Sequence, residues 1–167
     1  MEVKIRKRKI VLVGTGFVGM SFAYSLLSEK GINELVLIDM NKDKAIGEQM
    51  DLSDGLPYAD SKMTIKAGDY EECADADIVV ITAGAAQKPG QTRLELVGIN
   101  ARITKDVATQ VRMSGFSGIL VVASNPVEIM TYVAYRASGL PMEQVIGSGT
   151  ILDTARLTTK TSLQPDR

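Results

Sequence analysis

The feature that most constrains this chain is a glycine-rich turn between two apolar segments. The turn, residues 14–19, reads Gly-Thr-Gly-Phe-Val-Gly and directly follows the apolar segment 10–13. A second apolar segment, 35–38, ends at Asp39. An apolar strand, a glycine turn that opens a helix, and an acid at the end of the next strand are typical of one βαβ unit in a parallel sheet.

Each glycine of this turn has a separate physical task. Gly14 permits the tight turn off the strand, Gly16 removes a side chain that would hold the backbone away from a pyrophosphate, and Gly19 lets the helix pack closely on the sheet. Asp39 is placed to accept hydrogen bonds from an adenosine ribose, and its charge repels a 2′-phosphate. The pattern predicts a dinucleotide site that favours NAD over NADP. The alternative, a glycine turn of another kind of α/β protein, is disfavoured because strand, helix and acid all fit.

The overall charge excludes some partners. The 19 basic and 20 acidic residues leave a net charge of −1, which gives no global electrostatic reason to bind nucleic acid or a membrane. The basic run 4–9 is interpreted as a solvated arm, 1–8, that leads into the first strand, and a targeting or nucleic-acid patch is the alternative. No apolar run is long enough to cross a bilayer.

Cysteine and histidine usage sets further limits. The single Cys73 leaves no internal disulfide, and this is typical of a cytoplasmic protein. One cysteine and no histidine leave few ligands for a transition metal, so no metal site is expected.

Short β-rich segments alternate with amphipathic ones along the chain. The alternation predicts right-handed βαβ crossovers and a doubly wound parallel α/β sheet of about six strands, with helices on both faces. The predicted strands are 10–13, 35–38, 63–66, 78–82, 119–123 and 145–146. The predicted helices are 17–29, 42–53, 92–113, 127–138 and 149–160. Ligands of such sheets bind beyond the carboxyl ends of the strands.

Three further motifs follow the later strands. Residues 83–93 read Ala-Gly-Ala-Ala-Gln-Lys-Pro-Gly-Gln-Thr-Arg, residues 123–127 read Ala-Ser-Asn-Pro-Val, and residues 147–156 read Gly-Ser-Gly-Thr-Ile-Leu-Asp-Thr-Ala-Arg. In order and spacing, these motifs and the glycine turn resemble the bacterial NAD-dependent L-lactate dehydrogenases, within the lactate/malate dehydrogenase family. The resemblance covers about residues 9–156.

The resemblance implies a Rossmann-type domain that binds NAD, and it implies roles for several side chains. Arg93 would polarise the substrate carbonyl, and Arg156 would hold the substrate carboxylate through a two-pronged pair. Asn125 would hydrogen-bond the reacting oxygen, and Asp153 would orient the imidazole of the family's catalytic histidine. The implied catalytic residues are Arg93 and Asp153, and the implied substrate-binding residues are Gln87, Arg93, Asn125 and Arg156.

The resemblance also implies a set of residues that line the cofactor. They are Gly14, Gly16, Val18, Gly19, Asp39, Lys44, Tyr70, Gly84, Ala85, Ala123, Asn125 and Ser148. Some of the implied site residues also have an ordinary structural explanation. Arg93 fits a solvated first turn of a helix, Asp153 and Arg156 fit a surface pair, and Asn125 fits a turn before proline. Their joint order and spacing favour the functional interpretation.

The chain departs from the family in having no histidine. Residues 9–156 are therefore expected to form the dinucleotide-binding domain and 157–167 an atypical tail, with the family's C-terminal substrate domain absent. We expect this chain alone to be a poor catalyst. Since the family is homo-oligomeric and its second half covers the surface near 140–167, we also expect association or a disordered tail beyond about Arg156.

Three functions remain open from the sequence. The first is the NAD-binding half of an L-lactate dehydrogenase, which acts on a small 2-hydroxy or 2-oxo acid. The second is a non-catalytic NAD-binding module, and the third is a malate or other 2-hydroxy-acid dehydrogenase. Gln87 favours lactate over malate, because a second substrate carboxylate would call for a cation at that position.

Overall fold

The computed structural model of the chain describes residues 8–87 and 89–162, with side chains up to residue 159. The described residues form six strands. They are β1 (Lys9–Val13), β2 (Glu34–Ile38), β3 (Thr64–Ala67), β4 (Ile78–Ile81), β5 (Ile119–Val122) and β6 (Val145–Gly147). Neighbouring strands all run parallel, in the order β3-β2-β1-β4-β5-β6.

Helices make the connections between successive strands, except between β3 and β4, where only a short 3₁₀ helix intervenes. The α-helices are α1 (Phe17–Ser25), α2 (Lys42–Gly55), α3 (Arg93–Met113), α4 (Val127–Ser138) and α5 (Ile151–Ser162), of which α5 follows the last strand. Short 3₁₀ helices lie at Leu26–Ser28, Leu56–Tyr58, Tyr70–Cys73 and Met142–Gln144. None of the helices formed by the described residues has the length and apolar content needed to cross a bilayer.

The predicted doubly wound sheet is confirmed, with six strands and five α-helices at the predicted places. Element ends differ by a few residues. The first helix ends as an α-helix at Ser25 and tightens into a 3₁₀ turn, and α5 begins at Ile151 rather than 149. In the tail that was expected to associate or to be disordered beyond about Arg156, α5 continues to Ser162, and residues 163–167 lie outside the described residues. The 3₁₀ turns were missed because three or four residues carry no helical period.

The core consists of two apolar layers, one on each face of the sheet. On one face, Val11 and Val13 of β1 pack with residues of α3 and α4 such as Val111. On the other face, Ile10 and Leu12 pack with residues of α1 and α2. Alternate side chains of one strand therefore serve opposite layers, as the pleat requires. Because both faces are covered, the central strands are continuously apolar.

The order of the strands reverses beside β1. The chain first moves outward from β1 to β3, then returns to place β4 on the other side of β1, and moves outward again to β6. The loops at the carboxyl ends of β1 and β4 consequently leave in opposite directions. This divergence opens a crevice at that edge of the sheet, where ligands of open α/β sheets bind.

The last residue of the basic run follows the predicted arm, 1–8, and is buried rather than solvated. Lys9 begins β1 and is only 5% exposed. Its ammonium group lies 2.7 Å from Glu72 Oε2 and 2.6 Å from Asp75 Oδ1. Lys66 extends the network, with its Nζ 2.9 Å from Glu72 Oε2 and 2.7 Å from Glu34 Oε1. A buried cation requires such partners, so Lys9 belongs to the folded core. Residues 1–7 of the predicted arm lie outside the described residues.

We expect Glu72→Gln to lower the free energy of unfolding by about 1–2 kcal/mol at pH 7, because it removes the shared partner of Lys9 and Lys66. Although burial opposes ionisation, hydrogen bonds from Lys9 and Lys66 hold the pKa of Glu72 below its usual value. Its contribution is therefore present above the pKa of the unfolded chain and is lost as the pH falls through the folded pKa. Urea unfolding at pH 7 and at about pH 3 measures both effects.

Glu71→Gln is the matched control for this experiment, since Glu71 is an exposed neighbour on the same 3₁₀ turn. An equal loss of stability in the two variants, or a Glu72→Gln loss that persists undiminished at low pH, would contradict the proposed role of the network.

Candidate cofactor site

The crevice beside β1 holds a groove of about 260 Å³. It is lined by the end of β1, by the loops after β1, β2 and β4, and by residues of α2, α3 and the 3₁₀ turn after β3. Six of the sequence-predicted cofactor residues line it together: Gly14, Gly16, Asp39, Lys44, Tyr70 and Gly84. The structure therefore places side chains from distant parts of the chain at one site, as the parallel topology predicts.

The three glycines of the turn meet different surroundings. Gly14 has a φ of +106°, and a Cβ there would lie 2.6 Å from the Ala83 nitrogen. A Cβ on Gly19 would collide with the Gly14 carbonyl oxygen and lie 2.7 Å from Thr82 Oγ1. A Cβ on Gly16, in contrast, would meet no atom within 4 Å. Gly14 and Gly19 are thus required by the fold, whereas the open space at Gly16 suits a group from outside the chain.

The N-terminus of α1 faces this open space, because Gly16 is the N-cap of the helix. No acidic side chain lies in the first turn of α1, and no side chain caps its amides. A helix N-terminus beside a glycine cradle suits an anionic pyrophosphate, since its free amides and its dipole attract negative charge. The residues present therefore fit a dinucleotide.

Asp39 follows β2 and lines the groove from the side opposite β4. Its Oδ2 accepts hydrogen bonds from the Thr15 backbone N–H at 2.8 Å and from the Thr15 hydroxyl at 2.9 Å. Its Oδ1 accepts a hydrogen bond from the Asn41 N–H at 3.0 Å. Burial opposes ionisation, but these donors and the charge of Lys44 hold the pKa of Asp39 below its usual value. The groove therefore carries a fixed negative charge at neutral pH.

Lys44 and Tyr70 close the groove near Asp39. Lys44 lies in the first turn of α2, where its backbone N–H donates a hydrogen bond to the Asn41 side chain that caps the helix. Tyr70 is half-buried in the 3₁₀ turn after β3, and burial together with nearby negative charge raises the pKa of its phenol to about 12. Tyr70 is therefore neutral at physiological pH and offers a hydroxyl group rather than a charge.

The loops after β4 and β5 are joined by a side chain that the sequence interpretation missed. The amide of Asn100, on α3, accepts a hydrogen bond from the Ala85 N–H at 2.8 Å and donates one to the Asn125 carbonyl oxygen at 3.1 Å. Asn100 is 5% exposed and packs under Gly84. The available signal was an amide in the otherwise largely apolar buried stripe of α3. Asn100 therefore fixes the spacing of two loops that border the groove.

Six of the predicted cofactor residues lie outside the lining of this groove: Val18, Gly19, Ala85, Ala123, Asn125 and Ser148. Val18 is exposed on the first turn of α1. Ala85 is tied to Asn100, and the N–H groups of Ala123 and Ser148 donate to the carbonyl oxygens at positions 81 and 122. Ala123 and Ser148 thus stand at the carboxyl ends of β5 and β6, on the same edge of the sheet as the groove. Their contact with a cofactor stays a prediction.

Two of the predicted substrate residues flank the start of α3. A reciprocal cap fixes this start, in which the Thr92 hydroxyl accepts from the Glu95 N–H and the Glu95 carboxylate accepts from the Thr92 N–H. Arg93 is the first helical residue and is exposed. Gln87 is also exposed, and its amide donates to the Gln91 carbonyl oxygen at 2.8 Å. Lys88, in the loop between them, lies outside the described residues.

Asp153 and Arg156 lie one turn apart on α5. Their nearest charged atoms, Asp153 Oδ1 and Arg156 Nη1, are 3.5 Å apart, and their side chains are 76% and 65% exposed. This geometry is the ordinary surface pair that the spacing allows, so the substrate roles of these residues stay predictions. Among the residues that the structure describes, no group of three or more potential metal ligands is placed to hold a metal ion.

The reversal of the sheet, the glycine turn and the ionised Asp39 define a dinucleotide-binding domain of the Rossmann class. A sequence profile described as "lactate/malate dehydrogenase, NAD binding domain" matches residues 8–147. The chain belongs to this family, and NAD is the cofactor that the family binds. Both the predicted family and the predicted cofactor are thereby confirmed.

Relatives and solved structures agree with this assignment. The chain is 54% identical to an L-lactate dehydrogenase of Lactococcus lactis subsp. cremoris, with 98% of the chain and 53% of that protein covered. A lactate dehydrogenase from a Medee basin deep-sea metagenome library superposes with a TM-score of 0.89 at 56% identity, over 95% of the chain and 50% of that structure. The malate dehydrogenase of Aeropyrum pernix gives a TM-score of 0.85 at 38% identity, over 92% and 50%. The chain spans about half the length of the curated relatives it matches.

The different surroundings of Gly14 and Gly16 predict opposite outcomes for the same substitution. We expect Gly16→Ala to keep wild-type stability, since the added Cβ meets nothing, and to weaken NADH binding by about tenfold by occupying the pyrophosphate space. We expect Gly14→Ala to lower the free energy of unfolding by at least about 1–3 kcal/mol, because φ is positive and the Cβ meets backbone. Urea unfolding and NADH fluorescence titration check the pair. Unchanged NADH affinity in Gly16→Ala would contradict this placement of the pyrophosphate.

Proposed function

We propose that this chain is the NAD-binding half of an L-lactate dehydrogenase, which transfers hydride between NADH and pyruvate. The observation that carries the proposal is the groove that the open cradle at Gly16 and the charged Asp39 line together. NAD, when bound there, supplies the hydride donor or acceptor. The chain's own residues bind the pyrophosphate and the adenosine ribose of the dinucleotide and orient it against the sheet edge.

The substrate is proposed to bind beside this groove, near the start of α3. Arg93 would polarise the carbonyl oxygen of the substrate, and its exposed position on a firmly capped helix start leaves its guanidinium accessible. Asn125 would hydrogen-bond the same oxygen, since Asn100 holds its backbone at the groove edge. Arg156 would pair with the substrate carboxylate, and Asp153 would orient a catalytic imidazole.

The proton for the reduced oxygen calls for a further group. The chain has no histidine, so the imidazole that Asp153 would orient is not among these 167 residues. A positioned general acid typically contributes about 10²–10⁴ in rate. The proposed division of labour is therefore that these residues bind cofactor and polarise substrate, and that the proton donor comes from elsewhere.

Two alternatives make different demands on the site. A malate dehydrogenase has a substrate with a second carboxylate, and the neutral amide of Gln87 offers it no charge partner. Gln87 therefore favours lactate and pyruvate. A non-catalytic NAD-binding module is favoured by the absence of histidine among the 167 residues. This alternative does not explain why Gln87, Arg93 and Asn125 match the substrate-binding positions of the family.

Small 2-hydroxy and 2-oxo acids are the proposed partners, rather than nucleic acid or a membrane. A homo-oligomer is also proposed, and the support is apolar surface on α5, where Ile151 and Leu157 are more than half exposed. A cytoplasmic location is proposed because Cys73, the single cysteine, is a free buried thiol.

Cofactor selectivity tests the groove directly. We expect the chain to bind NADH more tightly than NADPH, and we expect Asp39→Ser to narrow the difference by about tenfold or more, because the variant loses both the ribose acceptor and the charge that repels a 2′-phosphate. Fluorescence titration with the two reduced cofactors measures the ratio. Asp43→Ser, on the exposed first turn of α2, is the control and should leave the ratio unchanged. A wild-type preference for NADPH would rule out the proposed role of Asp39.

Catalysis is best tested by joining the chain to the second half of a relative. We expect the 167-residue chain alone to reduce pyruvate at least about 10² times more slowly than a chimera in which residues 1–156 are joined to the second half of the Lactococcus lactis enzyme. In the chimera, Arg93→Ala should abolish most activity, whereas Arg102→Ala, on an exposed later turn of α3, should not.

In the same chimera, Gln87→Arg should shift the substrate preference from pyruvate towards oxaloacetate, because it adds a cation for the second carboxylate. NADH absorbance follows each reaction. Full-rate turnover by the chain alone would contradict the proposed division of labour.

A further inference from the structure

Thr15 stands between two glycines of the cofactor turn, but its side chain does not line the groove. It is 1% exposed, and it points toward the end of β2, where both its N–H and its hydroxyl donate to Asp39 Oδ2. The two bonds, of 2.8 Å and 2.9 Å, come from one residue to one oxygen. A buried hydroxyl with a charged acceptor makes one of the stronger hydrogen bonds found in proteins.

These bonds make the two oxygens of Asp39 unequal. Oδ2 takes both Thr15 donors, and Oδ1 takes one, from the Asn41 N–H. A carboxylate has about four lone-pair positions, so Oδ1 retains the remaining acceptor capacity. Among the described residues, hydrogen bonds to Asp39 come from Thr15 and Asn41 alone. Two of these three donors are backbone N–H groups, so among the described residues the Thr15 hydroxyl is the side-chain donor that helps to fix the rotation of the carboxylate.

We propose that the Thr15 hydroxyl is a positioning residue for cofactor selectivity: by holding Asp39 Oδ2, it turns Oδ1 toward the ribose hydroxyls and fixes negative charge where a 2′-phosphate would lie. The inference rests on the proposed NAD site and deepens it, since Thr15 itself touches no part of the groove. Without the hydroxyl, one backbone N–H still holds each oxygen, but the carboxylate is fixed less firmly, which weakens its bond to a ribose and relieves its repulsion of a phosphate.

The charged and titratable groups around Asp39 do not replace this contact. Lys44 on α2 acts on Asp39 through its charge alone, and the Tyr70 phenol faces the same groove from the 3₁₀ turn after β3. Lys42 is held 2.7 Å from Asp69 Oδ1 by an ion pair. None of these three side chains donates a hydrogen bond to Asp39, so only a change at Thr15 alters the orientation of the carboxylate while keeping the surrounding charges.

The test compares three variants of the whole chain that separate the hydroxyl from the packing at this site. Thr15→Val keeps the shape and removes the hydroxyl, Thr15→Ser keeps the hydroxyl and removes a methyl group, and Thr15→Ala removes both. Titration with NADH and with NADPH gives the affinity ratio of each. We expect Thr15→Val and Thr15→Ala to lose about fivefold to tenfold in NADH preference, chiefly through weaker NADH binding. Thr15→Ser should stay within about twofold of wild type.

A second measurement reads the carboxylate without any cofactor. The ¹³C resonance of the Asp39 carboxyl, followed against pH, should show a higher pKa in Thr15→Val than in wild type and an unchanged pKa in Thr15→Ser. Loss of a donor to the ionised form favours protonation, so NADH binding by Thr15→Val should also decline at a higher pH on acidification. A purely structural role would lower stability in all three variants without moving this pKa.

The titrations distinguish a failure of the proposed NAD site from a failure of the proposed role of Thr15. If the wild-type chain binds neither cofactor, the proposed NAD site is wrong and the inference falls with it. If wild type prefers NADH but Thr15→Val and Thr15→Ala retain its affinity ratio and its Asp39 pKa, only the role of Thr15 is overturned.

Discussion

The parallel pairing of β1 with strands on both sides is the constraint on which the rest of this structure depends. Val13, the last residue of β1, is level with Ile38 of β2 on one side and Ile81 of β4 on the other. The three strands therefore end together, and the residues that follow them emerge at one edge. The glycine turn, Asp39 and the Thr82–Gly84 segment meet there because of this register. A shift of one residue would turn their side chains to the opposite face.

Charged side chains are stabilised differently at the amino and carboxyl ends of these strands. At the amino ends, Lys9 is buried with Glu72, which it shares with Lys66, so that opposite charges neutralise one another. At the carboxyl ends, Asp39 receives hydrogen bonds from neutral donors, and the nearby Lys44 makes no ion pair with it. Neutral donors stabilise a carboxylate without cancelling its charge. The first arrangement contributes to stability, and the second keeps a negative charge available to a ligand.

The loops of the site are held by single polar side chains rather than by apolar packing. Asn100 joins the loops after β4 and β5, and the Ser124 hydroxyl donates to the Ala83 carbonyl oxygen at 2.7 Å. Thr15 does the same for the loops after β1 and β2. All three side chains are at least 95% buried, where an unpaired polar group would be costly. Each bond therefore specifies one arrangement of the loop backbones that border the groove.

The sequence by itself determined the strands, the helices, the parallel topology and the cofactor class, because these follow from local apolar periodicity and from glycines whose tasks are fixed by backbone geometry. It identified Gly14, Gly16 and Asp39 for the same reason. Only the tertiary structure decided that Thr15 and Asn100 hold the site and that Lys9 is buried, since each acts through partners 15 to 66 residues away. A local sequence pattern predicts helices, strands and turns. The hydrogen-bond partner of a buried polar group depends instead on which strands and helices the fold brings together.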